Sequence, residues 1–128
     1  MNLKDQKLLT PLELKIMNLL WSLKEAYVKD LIQHWPDCPA PAYNTVSTVV
    51  RILEEKKGFV GHKAVGRSHL YHPLVSKRRY QQFALRDMID SVFAGSLTGM
   101  VSTLLHEERV SSEEIEELRE MINDNDRD

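Results

Sequence analysis

Hydrophobic residues recur at intervals of three and four through the first part of the chain, which is the spacing of one face of an α-helix. The first stripe follows Thr10-Pro11, a pair typical of a helix N-cap and first helical residue, and predicts a helix over residues 11–23. A second, shorter stripe predicts a helix over about residues 28–35. Three prolines in residues 36–41 exclude helix there, so a stiff loop is expected next.

The third predicted helix, over residues 43–57 with Gly58 as its cap, has one apolar and one unusual polar face. Its apolar face consists of Val46, Val49, Val50 and Leu53. Its polar face consists of Asn44, Thr45, Ser47, Thr48 and Arg51. Short hydrogen-bonding side chains are poorer helix formers than Glu, Lys, Gln or Ala, but they suit base edges and phosphates in the DNA major groove. We predict a recognition helix; the alternative is a core helix that these residues merely cap.

After Gly58 the hydrophobic period changes from 3.6 to 2, which predicts two β-strands over residues 59–65 and 68–74. Gly66-Arg67 between them is typical of a tight hairpin turn. Three helices followed by a hairpin is the order of a winged helix-turn-helix domain, so the expected fold class is mainly α with a small β-hairpin. On this hairpin Lys63 and Arg67, together with His69, are expected to lie near phosphate or the minor groove.

The last part of the chain predicts helices only. Ser76 is expected to cap a long helix, Gly95-Ser96 to interrupt it, and Ser111-x-x-Glu114 has the spacing of a capping box before a last helix. These helices carry too few apolar residues for a core of their own. We therefore predict a DNA-binding domain over residues 1–75 and a helical dimerisation domain over residues 76–128.

The alternative to a homodimer is a monomer whose last helices fold back on the winged domain. In the preferred homodimer, the side chains expected to face the second copy are Phe83, Met88, Val92, Leu97, Met100, Val101, Leu104, Leu105, Ile115 and Leu118. Two-fold symmetry in the protein would match two-fold symmetry in double-stranded DNA.

The charge distribution separates the same two parts of the chain. The net charge is −2, but residues 1–80 carry 13 Lys and Arg against 7 Asp and Glu, and residues 81–128 carry 4 against 12. The excess of cations in residues 1–80 favours binding to phosphate. The excess of carboxylates in residues 81–128 is typical of a segment that stays away from phosphate. No apolar run approaches the ~20 residues that span a bilayer, and no apolar signal segment begins the chain. A cytoplasmic location without membrane insertion is expected.

Candidate chemistry is sparse. The single cysteine, Cys38, excludes a multi-cysteine zinc site, and no paired acid, base and nucleophile or phosphate-binding glycine loop is present. His62, His69 and His72 share the predicted hairpin, but the odd spacing of the last two places them on opposite faces of a strand. Surface histidines are the preferred interpretation over a metal site. We expect no enzyme, no metal and no cofactor.

Two other classes of protein fit parts of this pattern. A ligand-responsive winged-helix regulator would bind an effector between its dimerisation helices, in a pocket lined by Phe83, Met88, Phe93 and Met100. A winged helix used only for protein contacts would carry larger apolar anchors on its exposed helix face, and this face has none. A dimeric DNA-binding regulator remains the preferred interpretation.

Four segments in order resemble the BlaI/MecI-type penicillinase repressor family: LTPLELKIMNLLW, NTVSTVVRIL…KKGFV, GRSHLYHPLVSK and SSEEIEELREMI. The similarity extends from about residue 8 to residue 122. It implies a dimeric winged-helix repressor that binds a dyad operator and blocks transcription of β-lactamase, resistance or related stress genes. It also implies derepression by proteolysis in the dimerisation domain, triggered by a membrane-bound sensor metalloprotease that responds to β-lactam.

The resemblance also implies roles for individual residues. By position, base reading falls on Asn44, Thr45, Ser47 and Thr48. Arg51 is then a backbone or supporting contact, Arg67 the wing contact, and Tyr43 a contact to phosphate or a thymine methyl group.

The chain departs from the family pattern at two places. Residues 54–57 make the segment before the glycine turn one residue longer, so the family does not fix the end of the helix or the angle of the wing. The Asn-Phe pair at which family members are cleaved corresponds here to Thr103-Leu104. Either the specificity of cleavage differs or induction uses another route.

Overall fold

The computed structural model describes residues 8–126, which form six helices and one antiparallel pair of strands. In chain order these are α1 Pro11–Leu23, α2 Val28–Gln33, α3 Tyr43–Glu55, β1 Val60–Val65, β2 Ser68–Pro73, α4 Lys77–Val92, α5 Leu97–Leu105 and α6 Ser112–Asp126. This order confirms the predicted fold class, a winged helix-turn-helix with further helices after it. The chain divides into two compact units, one ending at Ala84 and the other starting at Leu85.

Helix α1 begins with the capping arrangement that its sequence predicts. The Glu13 backbone N–H donates to Thr10 Oγ1 at 3.2 Å, and the Thr10 N–H donates to the Glu13 carboxylate at 2.8 Å. Pro11 occupies the first helical position, where a backbone N–H has no partner to lose. Both ends of α1 lie where the sequence placed them.

Helices α2 and α3 end earlier than predicted. Helix α2 stops at Gln33, two residues short, because Trp35 precedes Pro36 and a residue before proline is disfavoured in the helical conformation. Helix α3 stops at Glu55 with Lys56 as its C-cap, so the prediction of Gly58 as the cap was wrong. Gly58 instead has φ 69 and turns the chain, so that the Phe59 N–H donates to Leu53 O at 2.9 Å.

The core of the winged unit lies between α1, α2, α3 and the base of the hairpin. Its most buried large side chains are Ile16, Met17, Leu20, Leu31, Val46, Val50, Leu53 and Phe59. Three of the four residues predicted as the apolar face of α3 are fully buried, and Val49 is half-buried. Burying each of these side chains contributes roughly 1.5–3 kcal/mol, so the rotation of α3 about its axis is firmly set.

The first turns of α4 belong to the winged unit. The Tyr80 ring contacts the rings of Trp21, Phe59 and Phe83 at centroid distances of 5.7–6.4 Å. Its hydroxyl accepts a hydrogen bond from the Leu9 N–H at 2.9 Å. The unit therefore extends to Ala84, whereas the sequence placed the domain boundary between residues 75 and 76.

Strands β1 and β2 pair over six residues from Val60↔Pro73 to Val65↔Ser68. The two-residue turn predicted at Gly66-Arg67 is confirmed, and Gly66 has the positive φ, 61°, that such a turn needs. Tyr71 and Ala26 exchange two backbone hydrogen bonds of 2.9 Å. These bonds attach β2 to the connection between α1 and α2.

In the second unit, the interruption predicted at Gly95-Ser96 and the cap predicted at Ser111 are both present. Ser96 Oγ accepts from the Gly99 N–H, and Ser111 Oγ accepts from the Glu114 N–H. Among residues 85–125 only Ile89 is buried, and large apolar side chains are exposed along all three helices. No single described helix is long and apolar enough to cross a bilayer; α4 and α5 qualify only together, as a bent pair.

A half-buried ion pair joins the start of α1 to the segment after α3. Lys57 Nζ donates to Glu13 Oε1 at 2.6 Å, and the side chains are 20% and 6% exposed. Burial by itself raises the pKa of Glu13, but the hydrogen bonds from Lys57 and Thr10 and the charge of Lys57 outweigh burial and lower it below 4.5. The stabilisation by Glu13 is thus present above pH 4.5 and is lost as pH falls through its folded pKa.

Lys57→Met is expected to lower the free energy of unfolding by about 2 kcal/mol at pH 7, because a buried carboxylate then loses its cation. Lys15→Met is the matched control, since Lys15 and Asp37 also lie 2.6 Å apart but are 47% and 57% exposed. That change should cost less than ~1 kcal/mol. Urea unfolding at fixed protein concentration measures both, and the deficit of Lys57→Met should shrink as pH falls below 4.5. Equal costs for the two variants would contradict the role of burial.

Candidate nucleic-acid interface

The polar face of α3 is turned to solvent because its apolar face is packed in the core. Tyr43 is 57% exposed at the first helical position. Asn44, Thr45, Thr48 and Arg51 are also exposed, and Ser47 is half-buried. The residues predicted to read DNA therefore share one accessible surface, as a recognition helix requires.

Thr48 and Arg51 differ in whether they have a partner within the described part of the protein. Thr48 Oγ1 donates its hydrogen to Asn44 O at 2.8 Å, within the helix. In this arrangement the hydroxyl can still accept from an amino group on a base edge, and its methyl group can contact thymine. Arg51 makes no ion pair with any residue from 8 to 126, so its guanidinium is available for an outside anion.

A cleft of about 620 Å³ lies between α3, the start of α2 and the hairpin. It is lined by Tyr27, Val28, Lys29, Tyr43, Ser47, Arg51, Val65, Arg67, Ser68, His69 and Tyr71. Three of these residues are cationic and none is acidic. The cleft can therefore attract a polyanion without first displacing a carboxylate of its own lining.

Of the eight residues predicted to bind DNA, four line the cleft and four lie outside it. Tyr43, Ser47, Arg51 and Arg67 line it. Asn44, Thr45 and Thr48 lie outside the cleft, on the exposed face of α3. Lys63 is also outside, and its Nζ lies 3.8 Å from Glu25 Oε2 in an exposed pair.

Six cleft residues were not predicted from the sequence, and two of them, Tyr27 and Lys29, extend the cleft to the start of α2. Val28 and Leu31 are buried, and Lys29 between them is exposed with its Nζ 5.5 Å from the centre of the Tyr27 ring. The periodicity of α2 indicates that Lys29 points outward. It does not indicate that this direction leads to the cleft beside Arg51, because that depends on how α2 packs against α3.

Tyr71 forms the buried floor of this region. Burial raises the pKa of its hydroxyl, and the charge of Glu54 raises it further, whereas that of Arg51 lowers it. The charges of Arg51, Glu54 and Glu55 of α3 therefore all act on Tyr71 of β2.

The hairpin histidines are on the faces that the sequence indicated. His69 pairs with Ala64 and His72 with Gly61, which confirms that these two histidines lie on opposite faces. His62 shares the face of His69, and their rings stack at 4.0 Å between centroids with an interplanar angle of 6°. Across residues 8–126 no group of three or more His, Cys, Asp or Glu side chains is placed to hold a metal ion.

The residues predicted for dimerisation fall into three groups. Phe83 is in the winged unit, where it contacts Tyr80. Met100, Val101 and Ile115 are half-buried. The remaining six are exposed in this single chain: Met88, Val92, Leu97, Leu104, Leu105 and Leu118.

The candidate cleavage pair, Thr103 and Leu104, lies in the last turn of α5 with both side chains exposed. Thr103 Oγ1 donates to Gly99 O at 2.9 Å. This backbone is helical, so a protease would have to unwind the turn in order to bind it as an extended strand.

Several known proteins are similar to this chain. Residues 9–124 match the family described as penicillinase repressor. The methicillin resistance regulatory protein MecI of Staphylococcus aureus (strain N315) is 28% identical over 87% of this chain and 89% of its own length. The penicillinase repressor of Bacillus licheniformis is 26% identical over 86% and 85%. The solution structure of the DNA binding domain of the repressor BlaI matches with TM-score 0.48 and 22% identity, covering 59% of this chain and 93% of that one.

The placement of the two wing cations generates a prediction. Arg67→Ala should weaken binding to duplex DNA and reduce the slope of log K against log salt concentration by about 1, as loss of one phosphate contact does. Lys63→Ala should change both quantities less, because Lys63 lies outside the cleft beside Glu25. Fluorescence anisotropy with a labelled duplex at several salt concentrations measures the two variants. A larger loss for Lys63→Ala would show that the cleft is not where the wing meets DNA.

Proposed function

The chain belongs to the penicillinase repressor family, and on this premise we propose that it is a dimeric, sequence-specific repressor of β-lactamase, antibiotic-resistance or related stress genes. It acts in the cytoplasm on a dyad operator in double-stranded DNA. The observation that carries this proposal is the pairing of an exposed polar helix face with a cationic cleft. The relatives named as repressors of penicillinase and regulators of methicillin resistance support the choice of target genes.

The exposed face of α3 enters the major groove. Asn44, Thr45, Ser47 and Thr48 are short enough to let the helix approach the base edges, where amide and hydroxyl groups can read the donor and acceptor pattern. Tyr43, at the start of the helix, contacts a phosphate or a thymine methyl group.

The cationic cleft receives the sugar–phosphate backbone beside that groove. Arg51, Arg67 and Lys29 reach it from a helix, a turn and a second helix, so they fix the position of the backbone from three sides. Contacts of this kind set the register of the protein on DNA and account for most of its salt dependence.

Dimerisation through the second unit follows from its exposed apolar surface. Val92 is 69% exposed, and Leu97, Met121 and Ile122 are more than half exposed in the single chain. A surface of this size is expected to be covered by a second copy, since only one residue of this small unit is buried among residues 85–125. Two recognition helices related by a two-fold axis then read two half-sites one helical turn, or a multiple of it, apart.

Derepression by proteolysis is part of the same proposal. Cleavage between Thr103 and Leu104 would remove the end of α5 and all of α6 from the DNA-binding unit. The fragment left behind would lose part of the dimerisation surface, and two half-sites bound separately are held far less tightly than by a dimer. The protease that fits this scheme is a membrane-bound sensor metalloprotease. The repressor itself belongs to a non-enzymatic family and acts by binding alone.

The proposal is tested by a salt series on DNA selected from a random pool by the parent protein, with scrambled DNA of equal length beside it. The parent should prefer the selected duplex, and its affinity should fall steeply with salt. Arg51→Ala should weaken binding and lower the salt slope by about 1. Arg86→Ala is the matched control, because Arg86 lies in the second unit and pairs with Asp90. Equal weak binding of all duplexes by a folded parent protein would overturn the repressor assignment.

The dimer is tested at its most exposed apolar position. Val92→Asp should shift the mass measured by sedimentation toward the monomer and weaken binding to the selected duplex, because an uncompensated carboxylate is costly at an apolar interface. Ser91→Asp adds the same charge at the neighbouring position, where Ser91 is exposed and donates to Asp87 O. It should leave the dimer intact. A Val92→Asp protein that remains dimeric would move the interface elsewhere.

A further inference from the structure

A run of side-chain contacts links the end of the recognition helix to the cleft through the hairpin. Glu54 Oε2, in the last turn of α3, lies 2.5 Å from His62 Nδ1 on β1. The His62 ring stacks on that of His69, which belongs to β2 and lines the cleft. Tyr71 closes the run, with its hydroxyl 3.5 Å from His69 Nδ1 and its ring edge-on to both imidazoles.

The distal part of the hairpin has few other attachments in the described structure. A two-stranded hairpin is marginally stable alone, and residues 62–69 are exposed. The Lys63–Glu25 pair is long, at 3.8 Å, and both side chains are more than half exposed. The Glu54–His62 pair is shorter and its side chains are 21% and 31% exposed, so solvent screens it less.

Glu54 carries a negative charge close to the surface proposed to bind phosphate, which is an unfavourable place for a carboxylate. A carboxylate close to a surface for phosphate opposes binding, so simple electrostatics would favour its absence. Glu54 nevertheless sits one turn after Arg51, with its carboxylate toward the hairpin and in contact with His62. A favourable effect of Glu54 on DNA binding would therefore have to come from the side chain that it holds, His62.

We propose that Glu54 is a positioning residue: through His62 and the stacked His69 it holds the wing against the recognition helix, so that Arg51 and Arg67 contact the same stretch of DNA backbone. This inference rests on the proposed function. It goes further by assigning the orientation of the wing to a carboxylate and two imidazoles. We call Glu54, His62 and His69 the wing bracket.

The wing bracket also makes DNA binding depend on pH. Imidazole is the side chain that changes charge between pH 5 and 8. The two rings are stacked at 4.0 Å, so they repel each other when both are charged. The titratable and charged groups around the pair are Tyr43, Arg51, Glu54 and Glu55 of α3, Tyr27 and Lys29 at the start of α2, Arg67 in the hairpin turn, and Tyr71 of β2.

A proton on the stacked pair strengthens the contact with Glu54 and adds positive charge beside bound phosphates. The complex therefore holds that proton more tightly than the free protein does. By linkage, affinity is higher when the imidazole holds a proton, and it decreases as pH rises and that proton is released.

The test compares two neighbouring carboxylates of α3. Glu54→Ala and Glu55→Ala remove the same charge from the same helix, but Glu55 is exposed and outside the wing bracket. Binding to the labelled duplex selected by the parent is measured from pH 6 to pH 8 at constant ionic strength, with thermal unfolding recorded on each sample. We expect Glu54→Ala to bind about fivefold more weakly than the parent at pH 6 and to depend less on pH, because only the attraction between charged imidazole and phosphate then remains. Glu55→Ala should bind as well as the parent or more tightly.

Two further variants separate positioning from a general loss of stability. His62→Gln should reproduce the flattened pH profile, whereas His34→Gln, at the end of α2, should keep the profile of the parent. Combining Glu54→Ala with Arg67→Ala should cost less than the sum of the single effects, because a displaced wing cannot lose its contact twice.

Additive losses, or identical pH profiles for the Glu54 and Glu55 variants, would overturn the wing bracket and leave the repressor assignment standing. A parent protein that binds no duplex from the pool would overturn the proposed function and the wing bracket together.

Discussion

The burial of one face of α3 is the constraint on which the rest of the structure depends. Val46, Val50 and Leu53 are fully enclosed by the core, so the helix cannot rotate without exposing them. Because a helix has two sides, fixing the apolar side also fixes which residues meet solvent. The accessibility of Asn44, Thr48 and Arg51 is thus a consequence of packing three branched apolar side chains.

The same packing fixes the hairpin. Phe59 is buried immediately after the turn at Gly58, and its N–H returns to Leu53 O at the end of α3. From that point β1 must run alongside the helix, and the backbone bonds between Tyr71 and Ala26 hold the returning strand. The base of the wing is therefore attached to the core by buried side chains and backbone hydrogen bonds. Its distal part depends on side-chain contacts, and of its two ion pairs Glu54–His62 is less exposed to solvent than Lys63–Glu25.

Charge is arranged at two scales. Over the whole chain, cations concentrate before residue 81 and carboxylates after it, which favours approach to DNA by one part of the protein. Within the winged unit, the carboxylates of Glu13 and Glu54 are paired with Lys57 and His62, and none lines the cleft. Pairing leaves the cleft cations free of local acidic partners, and so the attraction for phosphate is preserved where it is needed.

The sequence by itself determined the order and type of the elements, the cap at Thr10, the turn at Gly66-Arg67 and the exposed face of α3. These features are local: each depends on residues within a few positions, whose spacing is visible in the chain. Tertiary structure alone decided that α3 ends at Glu55, that Tyr80 belongs to the winged core, and that Lys29, Arg51 and His69 share a cleft. Such neighbours lie far apart in sequence, and only the packing of whole elements brings them together, because spacing along a chain carries no information about distance across a core.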